Sequence, residues 1–468
     1  MFKIVLLNNS RDKILFSQIM LKTQQTNELN KKLSDQIVTI GGWVQSRRDH
    51  GKLIFLDIRD QAGLVQAVAS QAVSNEVYKT VKQLNNEDVV LITGEVKARP
   101  INLINSKIAS GEIEIEVKSL KILAKSRHLP LDLNKTDLSV SLVTVLKHRS
   151  LALRHQKTRA IFKVQEQIVK SFREGLADLG FTEIFVPTIV PTATEGGAEV
   201  FEVKYYDKKA YLAQSPQLYK QIMVSVFEKV FTVAHAYRAE PSVTTRHLSE
   251  YISLDAEMGF VADFQDIMAI VAEVIKKIFS DLNSYCQAEL GMFSNSTPQI
   301  SENIPIIKLS QAQEIIFKRT KRDHRKELDL DPEDEKEICR WAKEEKGSEL
   351  IFITHYPVPK RPFYTFPDPE DSKLTLSFDL LGRGLEWVTG GQRINDYNQL
   401  VTNIKKWGNK PENFKVYLEA FKYGLPPEGG FALGLERITM QILGLKNIRE
   451  ASLFPRDMER VDIKLVKN

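Results

Sequence analysis

The chain has 468 residues, 43% of them hydrophobic and 27% charged, which is enough for sizeable cores in about three domains. It excludes a wholly disordered chain, a collagen-like fibre and a disulfide-stapled miniprotein. Against 60 Asp and Glu stand 65 Lys and Arg, a net charge of +5 that permits a polyanionic partner without requiring one.

Only Cys286 and Cys339 are present, so neither a disulfide framework nor a cysteine-rich zinc site is available. No apolar run approaches the ~20 residues that span a bilayer. The run Ile4-Val5-Leu6-Leu7 is too short for a signal-peptide core. The expectation is a cytoplasmic protein without a membrane segment.

In chain order, residues 1–32 lack a lasting period and read as a polar extension. Residues 33–125 alternate short apolar runs with Gly41-Gly42, Gly51 and Gly63, giving three strands, a helix at VSNEVYKTVKQL and two further strands. Five strands and one helix in that length predict a small Greek-key barrel of the OB type, with any small β-domain as the plain alternative. Residues 126–150, rich in Pro and polar side chains, form a linker. From 151 to 468 the pattern is mixed. Ile161, Val164, Ile168, Phe172, Leu176 and Leu179 mark one helix face, closed by Gly180. In FTEIFVPTIV, Pro187 cannot donate to a central ladder and so marks an edge or interface. β-rich segments with interspersed helices follow, so this part reads as an α+β domain on a large antiparallel sheet. The charge-dense stretch 308–347 reads foremost as a solvated helical face.

Three polar clusters carry the chemistry. YRAEPSVTTRHLSEYISLDAEM places Arg238 and Glu240 on one strand face, with Arg246, His247, Glu250, Asp255 and Glu257 on the return. Taken alone it is as much a structural ion-pair network as a site. SFDLLGRGLEWVTGGQR sets Asp379, Glu386 and Thr389 around a Gly-Arg-Gly turn, hard oxygen donors of the kind that hold Mg²⁺, and ends on Arg393. GFALGLERI places Arg437 at the start of a helix after two glycines. No GxxxxGK[ST] loop occurs, which excludes P-loop chemistry.

Together FTEIFVPTI, YRAE…RHLSEY and GLER resemble, in order and spacing, the three signature motifs of class II aminoacyl-tRNA synthetases. TEGGAEVF, LAQSPQLYKQ, SFDLLGRGLEWVTGGQR and SLFPRD are similar to the aspartyl enzymes of the archaeal and eukaryotic type. The likeness runs from about Glu28 to Asp457. It implies an anticodon-reading OB-fold, a hinge, a catalytic antiparallel sheet flanked by helices, and a homodimer formed around Pro187. The implied reaction is ATP-dependent activation of L-aspartate and its transfer to tRNA-Asp, with tRNA-Asn left open as a second acceptor.

The same resemblance implies roles. Arg238 grips the ATP α-phosphate and the substrate carboxylate, where charge accumulates in the transition state. Around it, Ala239, Glu240, Arg246, His247, Leu248 and Tyr251 hold ATP together with Glu386, Gly434, Leu435, Glu436 and Arg437; Glu240 meets the adenine amino group and Tyr251 stacks on the base opposite Arg437. Glu386 and Thr389, supported by Asp379, hold Mg²⁺. Glu195, Gln217, Leu218, Tyr219, Lys220, Asp255, Thr389 and Arg393, with Arg238, form the aspartate pocket: Lys220 and Arg393 for its side-chain carboxylate, Asp255 and Glu195 for its ammonium. Gly196-Gly197 suit a lid. In the barrel, Phe55 and Gln66 stack on and bond anticodon bases, with Arg47 on the same loop and Gln45 beside Trp43 where discrimination varies. LPPEGG departs from the family, which commonly has His where Glu428 stands. An asparaginyl enzyme is the nearest alternative; a tRNA-independent asparagine synthetase of this fold lacks the barrel, and a non-catalytic RNA-binding relative would have lost the charged residues.

Overall fold

The computed structural model describes residues 21–106, 108–192, 199–241 and 244–462. It divides into two compact units, residues 1–141 and 142–468.

In the first unit, β1 (Ile37–His50), β2 (Leu53–Arg59), β3 (Leu64–Ser70), β4 (Val89–Ala98) and β5 (Ile113–Ala124) close a barrel in the order β1-β2-β3-β5-β4, with helix α1 (Asn75–Val81) between β3 and β4. The inward positions Val38, Ile40, Val44, Ile54, Leu56, Ile58, Val65 and Ala67 are fully buried, the period-two pattern of a strand with one wet face. The described part of the polar lead-in departs from the extension expected of it. Leu29 joins the barrel core, and Thr26 Oγ1 donates to Asp60 Oδ1 at 2.6 Å while Lys22 pairs with Asp60 at 3.2 Å. A segment with one apolar anchor has no periodicity to announce itself; its attachment is a distant carboxylate.

The second unit is built on a sheet that, among the described residues, has eight strands in the order β12-β13-β14-β15-β16-β11-β10-β6. These are β6 (Thr182–Glu183), β10 (Lys229–Tyr237), β11 (Glu250–Gly259), β12 (Ile306–Lys308), β13 (Leu350–Thr354), β14 (Ser377–Gly382), β15 (Leu385–Gln392) and β16 (Glu428–Gly434). The β6–β10 and β12–β13 pairs are parallel and the other pairs antiparallel. Short strands β7 (Ile189–Val190), β8 (Glu202–Tyr205) and β9 (Lys208–Leu212) form a separate sheet. Helices α2 (Gln156–Asp178) and α3 (Gln217–Phe227) come before the central hairpin β10–β11, and α4 (Phe264–Tyr285) follows it.

One face of the large sheet is covered. Val164, Ile168 and Phe172 of α2 and Val271, Ile275 and Ile278 of α4 pack with Leu254, Ala256, Trp387, Val388, Phe431 and Leu433. Along β11, Ser253, Asp255 and Glu257 therefore point to the other face, because neighbouring side chains alternate. That face carries the polar clusters.

The charge-dense stretch folds as α5 (Leu309–Thr320) and α6 (Pro332–Lys346). It is more than a solvated face: Ile316, Ile338, Cys339 and Ala342 form a core with Ile351 and Leu381, and Asp334 and Glu337 are buried as well. Asp331 caps α6 by accepting from the Glu333 and Asp334 amides, both at 2.8 Å. Asp331, Asp334 and His324 cluster closely enough to suggest a metal site, but Arg322 already pairs with both carboxylates and His324 Nδ1 lies 2.8 Å from Asp334, so the cluster is a helix-capping ion network.

Candidate active site

A cavity of about 410 Å³ opens on the free face of the sheet. At one end stand Arg238, Glu240, Arg246, His247, Leu248, Tyr251, Gly434, Glu436 and Arg437. Strand β10 stops at Tyr237, so Arg238 and Glu240 lie just beyond the strand expected to carry them. The Arg238 amide still donates to Ser249 O at 2.9 Å, and its guanidinium is 3.7 Å from Glu240 and 5.9 Å from the Tyr251 ring centroid. His247 sits within the field of Arg437, Arg238 and Arg246; burial first and these cations second hold its pKa below the ordinary histidine value. A neutral imidazole among three guanidinium groups leaves a positive local field that can accommodate an anion.

The next wall is the β14–β15 hairpin. Arg383 and Gly384 both have positive φ, 51° and 82°, which the right-handed twist of a two-residue hairpin demands. A bulge at Leu380/Leu381 pairs Asp379 with Thr389 and Leu381 with Glu386. Glu386 and Thr389, three residues apart, would face opposite ways on a regular strand; the bulge turns both to the cavity beside Asp379. Arg437 reaches Glu386 at 3.4 Å. Burial and Asp379 raise the Glu386 carboxyl above its ordinary range against the pull of Arg437; a third of its side chain is open, and it lines this cleft.

Sequence reasoning passed over Arg361, in KRPFYT. It donates to Thr389 Oγ1 at 3.0 Å and Asp379 Oδ2 at 2.8 Å and stacks 3.8 Å above the Tyr356 ring. With Arg437 beside Glu386, all three oxygen donors expected to hold metal thus already have a cationic neighbour. Among the described residues Asp379 Oδ1 is nonetheless buried without a hydrogen-bond partner, and Glu386 faces the same cavity, so the donor set still fits a hard divalent cation.

At the other end, α3 presents Gln217, Lys220 and Gln221 on one face. Leu218, on its other side, packs with Phe363 and Leu400. Leu218, Tyr219 and Ala239 are not among the cavity-lining residues, and Leu435 is in the main core: these expected contacts belong to neighbours of the site. Lys220, fully buried, bridges Asp255 at 2.8 Å and Glu257 at 3.0 Å, and Arg393 Nε donates to Glu257 at 2.7 Å. The cations assigned to a substrate carboxylate therefore carry resident carboxylates, with Asp255 tied to Lys220. Glu257, absent from the expected pocket, is the hub. Burial pushes its pKa up, but Arg393 and Lys220 outweigh burial and hold it below the ordinary value. Its room comes from Gly430, where a Cβ would lie 2.2 Å from the Glu257 carboxylate. Arg393 uses Nη2 on Gly430 O at 3.0 Å, which leaves Nη1 as the arm not engaged by the described residues.

Behind this quartet Gln217 donates to Gln221 at 3.0 Å, and the Gln221 amide donates to Glu428 at 2.8 Å. Burial, reinforced by Glu257, pushes the Glu428 carboxyl well above its ordinary range, which favours its protonated form. Glu195 and Gly196-Gly197 lie outside the described residues.

On the barrel, Phe55 is half-buried on the outer face and absent from the core, paired with Val68, while Gln66 pairs with Asp57. Arg47 does not join them. A bulge between Val44 and Ser46 shifts the parity of β1, so Arg47 sits opposite inward Leu56 and donates to Leu84 O at 3.0 Å. Arg48 takes its place, reaching Gln66 Oε1 at 3.2 Å and Asp57 at 3.1 Å. Gln45 bonds Asn134 at 2.6 Å and accepts from Arg59, which lies over Trp43.

Comparison with known proteins agrees with both units. The model of class II tRNA synthetases (D, K and N) matches residues 141–458, and the OB-fold nucleic acid binding domain matches residues 38–123. The Aspartate–tRNA(Asp/Asn) ligase of Deinococcus radiodurans is 40% identical, covering 94% of this chain and 99% of its own. The Aspartate–tRNA(Asp) ligase of Pyrococcus furiosus is 39% identical over 94% and 100%. The crystal structure of asparaginyl-tRNA synthetase from Pyrococcus horikoshii with asparaginyl-adenylate superposes with a TM-score of 0.84 at 32% identity, covering 93% and 98%.

Proposed function

The chain belongs to the class II tRNA synthetases of the D, K and N group, and from that premise we propose that it is an aspartate–tRNA ligase. It joins L-aspartate to ATP as aspartyl-adenylate, releases pyrophosphate, and passes the aspartyl group to the 3′ end of tRNA-Asp. The observation that carries this reading is one cavity joining an arginine-rich end, Arg238, Arg246 and Arg437, to a floor where Arg393 and Lys220 are held by Glu257. The first end suits a triphosphate. The second suits a short dicarboxylate whose side chain meets the spare arm of Arg393.

In the first step an oxygen of the aspartate α-carboxylate attacks the α-phosphorus and the bond to the β-phosphate oxygen breaks. Arg238 is placed to meet the charge that gathers on the α-phosphate oxygens. Arg246, His247 and Arg437 receive the leaving pyrophosphate. Glu386, Thr389 and Asp379 would hold Mg²⁺, which when bound neutralises phosphate charge. Tyr251 offers its ring to adenine and Glu240 an acceptor to the adenine amino group. In the second step a ribose hydroxyl of the tRNA attacks the aspartyl carbonyl and AMP leaves.

For tRNA, Phe55 and Gln66 on the outer face of the barrel suit splayed anticodon bases, in keeping with stacking by OB-folds. Whether tRNA-Asn is a second acceptor turns on the Trp43, Gln45 and Arg59 group. A homodimer is supported by Phe185, 84% exposed beside Pro187, an apolar surface that a second copy would cover. A cytoplasmic site of action agrees with two free, buried cysteines.

The test is ATP–pyrophosphate exchange with each amino acid in turn. Aspartate should be activated several orders of magnitude faster than asparagine, because an amide would leave a charged donor unpaired. Arg393→Leu should abolish exchange with aspartate and leave ATP binding in place. Faster activation of asparagine would replace this reading with the asparaginyl one.

A further inference from the structure

Helix α6 of the charge-dense stretch sends one carboxylate into the cavity. Glu335 in its first turn is a lining residue, and its Oε2 lies 2.8 Å from Arg246 Nη1. Arg246 Nη2 donates at the same time to Gly384 O at 3.3 Å, in the turn between β14 and β15. That turn and the helix are fitted to each other: a Cβ on Gly384 would meet Lys336 Cγ at 2.7 Å, and the Gly384 amide bonds the Cys339 side chain. The helix start is fixed independently by the Asp331 cap and by Arg322 across Asp331 and Asp334. Arg246 is thus forked between two groups that are themselves immobilised, although it springs from an irregular loop.

Resting on the proposed synthetase reading, we propose that Glu335 is the positioning residue for Arg246, and that α6 is the wall that sets the triphosphate end of the ATP site. A carboxylate facing a polyphosphate would repel it if bare. Here Arg246 caps the Glu335 carboxyl, which burial and Glu386 push up to about 7, so Glu335 serves to orient Arg246 while the remaining guanidinium N–H groups face the ligand. An arginine on a loop loses rotamer freedom when it grips a phosphate; one that is already forked has little left to lose. This gives 308–347 a task that its composition does not disclose.

The experiment is a double-mutant cycle in ATP–pyrophosphate exchange on the full chain, with KM for ATP and for aspartate measured separately. Glu335→Ala should raise KM for ATP about 10-fold, the scale of a lost hydrogen bond to a charged group, and leave KM for aspartate nearly unchanged. In an Arg246→Ala background the same change should have almost no further effect, since the two residues act as one. Glu335→Gln keeps an acceptor for Arg246 and should rescue most of the loss; it replaces alanine in the cycle should the alanine variant not fold. Equal effects of Glu335 substitution with and without Arg246, an unchanged KM for ATP, or tighter ATP binding in the variants would overturn the assignment. Wild-type protein that exchanges with neither amino acid would instead overturn the synthetase reading, a different result from normal exchange with an indifferent Glu335.

Discussion

Glu428 is a buried carboxyl whose side chain accepts from the Gln221 amide rather than from a cation, in a place where Glu257 already brings a negative charge. Its folded pKa is raised above the ordinary 4.5, and the sign of its effect on stability follows. Below pH ~4.5 folded and unfolded chains both hold the proton, and the group is indifferent. As pH rises past that value the unfolded chain releases its proton while the folded one retains it, so folding weakens until the folded pKa is passed. Glu428→Gln keeps the shape and removes the proton. The difference in urea midpoint, variant minus wild type, should therefore grow in the variant's favour over the pH interval just above ~4.5, where only the unfolded chain releases its proton. A difference that shrinks over that interval would mean the carboxyl is ionised in the folded state. Little of this was legible beforehand. Arg238, Arg246, Glu386, Arg393 and Arg437 stand in motifs whose order is informative, whereas Arg361 and Glu257 acquire their roles from packing: one lies over Tyr356, the other beside a glycine on the adjacent strand.

At the level of elements, two β-bulges decide which side chains share a face. Alternation on β15 is broken so that Glu386 and Thr389 agree, and on β1 so that Arg48, not Arg47, stands with Phe55, Asp57 and Gln66. The strands themselves were readable from apolar alternation. A one-residue slip leaves composition unchanged and moves every later side chain across the sheet, so sequence alternation alone does not show that Arg48 rather than Arg47 shares the face of Phe55. The consequence is testable. Arg48→Ala should lower kcat/KM for tRNA charging about tenfold, the value of one nucleic-acid contact, with the melting temperature nearly unchanged. Arg47→Ala removes a bond to the Leu84 carbonyl and should act on stability instead. The reverse pattern would make Arg47, which is also exposed, the anticodon contact. Helix α6 shows the same limit from the other direction: its acidic composition reads as solvated, yet Asp334, Glu335 and Glu337 point into partners that the local sequence does not name.

On the scale of the whole molecule, the chain is two units with separate cores, and the chemistry assigned to them is separable in the same way. The barrel's apolar residues are used inwardly by Val38, Ile54, Leu56 and Val65, while Phe55 is half-buried on the outside, edge-on to His50 at 5.4 Å between ring centroids. An aromatic ring spent on an outer face contributes little to the barrel and is available to a base. Phe55→Ala should therefore weaken tRNA charging by about 1–3 kcal/mol, the range for a lost base stack, and leave tRNA-free aspartate activation unchanged, because the residues proposed to face ATP and aspartate all belong to 142–468. Measuring the two reactions on one preparation separates the possibilities. A parallel loss in both would place Phe55 in the framework of the protein, and a loss in neither would take the anticodon off this face of the barrel.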